Sequence, residues 1–111
     1  MGYRLEISEI KKHHIEYMTS GGKLYGYVEN IEDLKSYNWL LNKKIIDEDQ
    51  YFDYNCNPKI VLNSNEFNEF VLLYNEDLNN YYKYDTKDWF INDEKVRKLL
   101  SNKNKKVLEW W

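Results

Sequence analysis

The 111-residue chain contains no alanine, one cysteine, one proline and four glycines. A single Cys56 cannot form an internal disulfide, which excludes a disulfide-stabilised scaffold and favours a reducing, cytoplasmic compartment. The four glycines fit neither a phosphate-binding loop nor a dinucleotide fingerprint. No apolar run approaches the length of a membrane span, and no signal peptide is recognised at the N-terminus. We therefore expect no membrane association.

Arginine is also scarce, with two residues against 14 lysines and 14 asparagines. This bias follows AT-rich codons and is typical of small proteins of AT-rich bacteria and their phages. Many such proteins act by occupying a host protein. The association is one of composition alone, and it carries no family resemblance.

Charge of both signs is present but unevenly placed. Residues 93–111 contain six bases and three acids, a net charge of +3, whereas the chain as a whole carries −3. The other 92 residues therefore carry −6. A mostly acidic body argues against broad affinity for nucleic acid, whose backbone requires a cationic surface.

A long amphipathic helix is the clearest element that the sequence predicts, from Leu62 to about Tyr84. Asn63 is positioned as its N-cap, with Glu66 at the third helical position, and Leu62 and Phe67 are spaced as a hydrophobic staple. Its polar residues, Asn75 included, are expected on the solvent side. Its apolar face has helical spacing and consists of Phe67, Phe70, Val71, Tyr74, Leu78 and Tyr81.

The N-terminal part of the chain has the alternation of strands. Residues 3–8 alternate as a half-buried strand, and Ile10 breaks the phase, which predicts a bulge or an end near Glu9. Residues 13–18 and 23–28 flank a loop at 19–22 with two glycines, which predicts a β-hairpin.

Two further helices are predicted. One begins at Asn30 and ends near residues 42–44, with Ile31, Leu34 and Leu41 facing inward. The other is capped by Asn92 and places Val96, Leu99 and Leu100 inward.

The remaining segments are harder to assign. Residues 45–57 are predicted as a loop with a short strand near 50–54, and residues 59–62 as a strand or an extended lead into the long helix. Residues 107–111 are either a closing strand or an apolar tail. Together the elements predict one α+β domain over residues 1–111, a small antiparallel sheet packed by two or three helices.

No catalytic, metal or cofactor motif is found, so we expect a protein that is not an enzyme and that needs no cofactor. His13 and His14 are adjacent on a predicted strand and point to opposite faces, which does not suit one metal ion. The acidic run from Asp47 resembles a calcium loop only superficially. Phe52 stands where such a loop requires glycine, and Pro58 stands where it requires a bidentate glutamate.

The leading hypothesis is a small acidic protein that binds and masks or inhibits a partner protein, such as a phage-encoded antagonist of a host defence system. An acidic patch would steer it to a basic surface, and aromatic side chains would anchor it. The candidate partner-binding residues are Asp47, Glu48, Asp49, Tyr51, Asp53 and Tyr54.

Two alternatives remain open, and homo-oligomerisation is compatible with each. The first is a binder of a small, nucleotide-like ligand, with the bases stacked on Tyr25 and Tyr27. The second is a nucleic-acid contact at the basic C-terminal end, where cations and rings are combined. Its candidate residues are Lys103, Lys105, Lys106, Trp110 and Trp111.

Overall fold

An antiparallel β-sheet with helices packed on it forms the α+β fold of the computed structural model. The structure describes residues 3–11, 14–17, 27–43, 59–81 and 88–110. The strands are β1 (Tyr3–Lys11), β2 (His14–Tyr17), β3 (Tyr27–Val28), β4 (Lys59–Leu62) and β5 (Lys106–Trp110). The helices are α1 (Lys35–Asn42), α2 (Ser64–Tyr81) and α3 (Glu94–Leu100), and a 3-10 turn covers Ile31–Asp33.

The C-terminal segment is a central strand of this sheet. The strand order is β2-β1-β5-β4, and β5 pairs antiparallel with both β1 and β4. Of the two alternatives for this end of the chain, the strand is therefore the correct one. The segment 59–62 is likewise a strand, paired with β5 from Lys59 opposite Glu109 to Leu62 opposite Lys106.

Strand β1 is longer than its sequence pattern predicts. It continues without interruption to Lys11, and its register with β2 and β5 contains no bulge at Glu9. The predicted break was wrong because Glu9 keeps the phase of Leu5 and Ile7 and lies buried on the same face. The break was predicted because Ile10 is apolar but out of phase, whereas the core-facing position next to it is occupied by the charged Glu9.

The two strands of the predicted hairpin each pair with β1, and among the described residues they do not pair with each other. Lys11 lies opposite His14 in β2, and Tyr3 lies opposite Val28 in β3, so the two strands contact different ends of β1. The predicted turn at residues 19–22 lies outside the described residues.

Helix α2 begins as predicted, with a reciprocal capping box. The backbone N–H of Asn63 donates to Glu66 Oε1 at 3.0 Å, and the N–H of Glu66 donates to Asn63 Oδ1 at 2.9 Å. The apolar face from Phe67 to Leu78 is buried, whereas Tyr81 at the C-terminal end is 42% exposed.

A turn after α2 is held against the helix by asparagine side chains. Asn75 and Asn79 each donate to Asp88 Oδ1, at 2.8 and 3.0 Å, and Asn75 Oδ1 accepts from the N–H of Ile91. Asp88 has a φ of 60°, a region that residues with short polar side chains tolerate. The prediction that Asn75 faces solvent was therefore wrong, since it is buried and binds this turn. The turn returns Phe90 to the core.

Helix α1 differs from its prediction in phase. The chain forms a 3-10 turn first, and Leu34 then takes an extended conformation before α1 begins at Lys35. This interruption rotates the helix, so that Leu40 is fully buried and Leu41 is 48% exposed. The expectation that Leu41 faces inward was wrong because it assumed one continuous helix from Asn30.

Helix α3 begins one residue later than predicted. Asp93, not Asn92, is the N-cap, and its Oδ1 accepts from the N–H groups of Lys95 and Val96 at 2.9 and 3.2 Å. Val96 and Leu99 are buried as expected. Between the sheet and α2, the core is filled by large rings: Phe67, Phe70, Tyr74, Phe90 and Trp110.

Candidate functional site

Most of the residues predicted to bind a partner or a small ligand lie outside the described residues. This holds for the acidic segment 47–54 and for Tyr25. Tyr27 lies in β3, where only its backbone is described. The partner-binding role of residues 47–54 and the ligand-stacking role of Tyr25 and Tyr27 therefore stay predictions.

The five residues of the proposed nucleic-acid contact are not brought together on one surface. Lys106 and Trp110 are both fully buried in the sheet, so neither side chain can stack on or pair with an external strand. Lys103 and Lys105 are exposed, and Trp111 lies outside the described residues. The cationic and aromatic residues are close in sequence, but the side chains of Lys106 and Trp110 in β5 are in the core.

The described residues contain a different candidate site, which begins with the way α1 is capped. The N-cap position of α1 is Leu34, which has no side-chain acceptor. The acceptors come from α2 instead. Asp77 Oδ1 accepts from the N–H of Lys35 at 3.0 Å, and Asp77 Oδ2 accepts from the N–H of Ser36 at 2.8 Å. A buried carboxylate thus satisfies two donors at the positive end of the helix dipole.

Two ion pairs between α1 and α2 show how the two helices are oriented. Lys35 Nζ lies 3.3 Å from Glu76 Oε1, and Lys43 Nζ lies 3.6 Å from Glu69 Oε2. The start of α1 is therefore beside the C-terminal half of α2 and its end beside the N-terminal half, so the two helices are antiparallel. These pairs are exposed and add little to stability. They mark the two ends of the helix contact.

A cleft of about 220 Å³ opens at the capped end of α1. We call it the α1–α2 cleft. Its lining combines carboxylate, amide and phenol groups with one apolar side chain, and comprises Asp33, Leu34, Lys35, Asp77, Asn80 and Tyr81.

The surroundings of the α1–α2 cleft are acidic. Asp33 and Asp77 line it, and Glu32 is exposed in the same 3-10 turn as Asp33. Glu29 is held nearby, because its backbone N–H donates to Tyr81 Oη at 3.3 Å. The one lysine of the lining, Lys35, already has its charge balanced by Glu76. The local field therefore favours a cation.

Apolar and aromatic side chains are exposed at the cleft and elsewhere on the two helices. Tyr81 is 42% exposed at the cleft, and Leu72 is 61% exposed further along α2. Trp39 is half-buried on α1, with Lys43 Nζ 5.0 Å from its ring centroid. Exposed aromatic and apolar side chains of this kind are common in protein interfaces.

The carboxylates of the described residues do not form a metal centre. No group of three or more histidine, cysteine, aspartate or glutamate side chains among them could hold a metal ion. Asp77 uses its oxygens on backbone donors, which leaves lone-pair capacity for a further donor such as a guanidinium or an ammonium group. Among the described lining residues, no nucleophile lies beside a base.

Sequence reasoning missed Asp77 and Asp33 as site residues, although a signal for Asp77 was present. It follows Tyr74 by three positions and precedes Leu78, so it falls on the apolar face of α2. A carboxylate on that face must have a buried partner. Asp33 gives no comparable signal, because acidic residues are common near the start of a helix.

Comparisons with known proteins identify no relative of this chain: no family model, curated protein or solved structure matches it. Among the described helices, none has the length and apolar character needed to cross a bilayer. Functional inference therefore rests on the geometry of the α1–α2 cleft.

Proposed function

We propose that this protein is a non-enzymatic binding protein that uses the α1–α2 cleft to recognise a basic side chain of a partner protein. The proposal rests on the meeting of Asp33, Asp77 and Tyr81 in one cleft, where Lys35, the cation among the described lining residues, is already paired with Glu76. The binding would mask or inhibit the partner. A small acidic chain of this composition favours such a role, for example as an antagonist of a host defence system.

The chemistry of the lining favours arginine or lysine as the inserted group. A guanidinium or an ammonium donates to carboxylate and amide oxygens, and Tyr81 offers a ring on which the group and its apolar stem can pack. At about 220 Å³ the cleft is smaller than a typical pocket for a drug-sized ligand but has room for one long side chain.

The charge of the rest of the chain supports the same partner. The 92 residues before the basic end carry a net −6, so the protein attracts a basic surface before contact. Such steering raises the association rate and weakens with salt. Exposed Leu72 and half-buried Trp39 would extend the contact beyond the cleft.

The test is affinity capture from lysate of the source cell with three baits. They are the wild-type protein, the Asp33→Lys variant and the Glu94→Lys variant. Asp33 lines the cleft, whereas Glu94 is exposed in the first turn of α3, so the two variants change net charge equally at different places. A partner bound by the wild-type and Glu94→Lys proteins but lost with Asp33→Lys is the expected result.

Equal capture by all three baits would contradict the cleft as the binding site. Equal loss with both variants would show that net charge alone drives the association. For a captured partner, the association rate should fall as salt rises, and Asp33→Lys should flatten this dependence more than Glu94→Lys does.

A further inference from the structure

A buried charged network connects the two central strands at one end of the sheet. Glu9 of β1 lies directly opposite Lys106 of β5, and both are almost completely buried. Charged residues are rarely buried to this extent unless they are paired and hydrogen-bonded. This pair is independent of the α1–α2 cleft.

Every polar group of the network has partners. Lys106 Nζ donates to Asn102 Oδ1 at 3.0 Å and to the carbonyl oxygen of Asn104, and it lies 5.3 Å from the ring centroid of Phe67. Asn102 Nδ2 donates to Glu9 Oε2 at 2.9 Å, so one asparagine bridges the two charges. Glu9 Oε1 is 3.3 Å from Lys11 Nζ. Asn102 and Asn104, in the loop after α3, thus supply hydrogen-bond partners to the two buried charges.

We propose that this network is a register lock that allows β1 and β5 to pair in only one alignment. On the core face the native pairs are Leu5 with Trp110, Ile7 with Leu108, and Glu9 with Lys106. The first two pairs are apolar, and apolar pairs alone discriminate poorly between alignments that differ by two residues. A slip of one residue is excluded separately, because it would reverse the faces of the strand.

Slips of two residues preserve the faces, and the charged pair opposes both of them. In one direction Lys106 would face Lys11, and Glu9 would lie against Leu108. In the other direction Lys106 would face Ile7, and Glu9 would lie opposite Asn104. Each slip separates the buried charges and leaves at least one without its partner, which is strongly unfavourable.

Buried ion pairs often contribute little net stability, and a role in fixing a register is their best-attested use. We therefore expect two results when the pair is replaced. Replacing the pair by apolar residues should leave the protein as stable as before or more stable. It should also allow more than one alignment of β5 on β1.

The experiment compares two double variants by NMR and urea unfolding. The test variant is Glu9→Leu with Lys106→Met. The control is Glu6→Leu with Glu109→Leu, a directly opposed pair on the other face of the same two strands. Amide resonances of residues 106–110 and the cross-strand contact between Ile7 and Leu108 report the alignment.

We expect the test variant to unfold at the same or a higher urea concentration and to show more than one set of β5 resonances, or cross-strand contacts shifted by two residues. The control should show one set, with the native contact. A single native set in the test variant would overturn the proposal. An unfolded or clearly less stable test variant would overturn it as well, because the network would then act through stability.

Discussion

At the scale of single residues, Asp77 combines a structural role with a place in the candidate binding site. One buried carboxylate accepts two backbone hydrogen bonds at the start of α1 and also lines the α1–α2 cleft. Since α1 has no side-chain cap of its own, its first turn depends on a residue of another helix. The same atoms therefore stabilise the helix and shape the candidate binding site.

Substitution of Asp77 should be costly. We expect Asp77→Ala to lower the free energy of unfolding by about 1–3 kcal/mol, because two helix N–H groups lose their acceptors at a buried position. Urea unfolding measures this loss. Glu76→Gln is the matched control, since it removes only an exposed ion pair and should change stability by no more than about 1 kcal/mol. Similar effects of the two substitutions would contradict the capping role.

Lys106 gives the fold a pH dependence. Burial lowers the pKa of its ammonium group below the ordinary value of 10.5, and the nearby negative charge of Glu9 opposes this shift in part. Between the folded-state pKa and 10.5, the unfolded chain binds more protons at this site than the folded protein does. Stability must therefore rise with pH across that interval.

The measurement is urea unfolding of the wild-type protein and of Lys106→Met from neutral pH up to about 10.5. All other ionisable groups are present in both proteins, so the difference between them isolates the lysine. We expect the stability of the wild type relative to the variant to increase as pH rises through this interval. A difference that is constant or decreases would show that burial does not lower the pKa of Lys106.

At the scale of elements, how much could be predicted from sequence depended on the distance between the interacting residues. The capping box of α2 joins Asn63 to Glu66 within one turn, and both residues and the helix were predictable. The cap of α1 joins Ser36 to Asp77, 41 positions away, and could not be predicted from local spacing. The cleft was missed for the same reason, because its lining comes from two separated segments.

The errors in the strands and helices also have physical causes. The break predicted from Ile10 was wrong because β1 continues with Glu9 on the core face, where Glu9 accepts a hydrogen bond from Asn102 and lies opposite Lys106, both from the other end of the chain. The inward face of α1 was misassigned because an extended Leu34 separates it from the preceding 3-10 turn. In the first case a tertiary contact, and in the second a local break in the helix, made the structure differ from the prediction based on periodicity.

The capping box can be tested directly. We expect Asn63→Ala to destabilise the protein by about 1 kcal/mol, because the N–H of Glu66 loses its side-chain acceptor at the start of α2. Asn65→Ala is the control, since Asn65 is exposed within the same turn and should change stability by less than about 0.5 kcal/mol. Chemical denaturation compares the two, and equal losses would contradict the cap.

At the scale of the whole molecule, the charges and the fold favour one mode of action. Part of the basic C-terminal end is buried, since Lys106 lies in the core at the start of the central strand β5. Acidic side chains, Asp33 and Asp77, line the α1–α2 cleft together with the exposed Tyr81. This arrangement is the basis of our proposal that the protein recognises a basic protein surface and not a nucleic acid.

The most direct test of this account is site-specific photocrosslinking in the source cell. A photoreactive phenylalanine analogue replaces Asn80, which lines the cleft, or Asn65, which is exposed near the opposite end of α2. We predict that the analogue at position 80 crosslinks one partner protein close to an arginine or lysine, and that Asp33→Lys abolishes the crosslink. Equal crosslinking from position 65, or none from position 80 while the partner is bound, would contradict the α1–α2 cleft as the binding site.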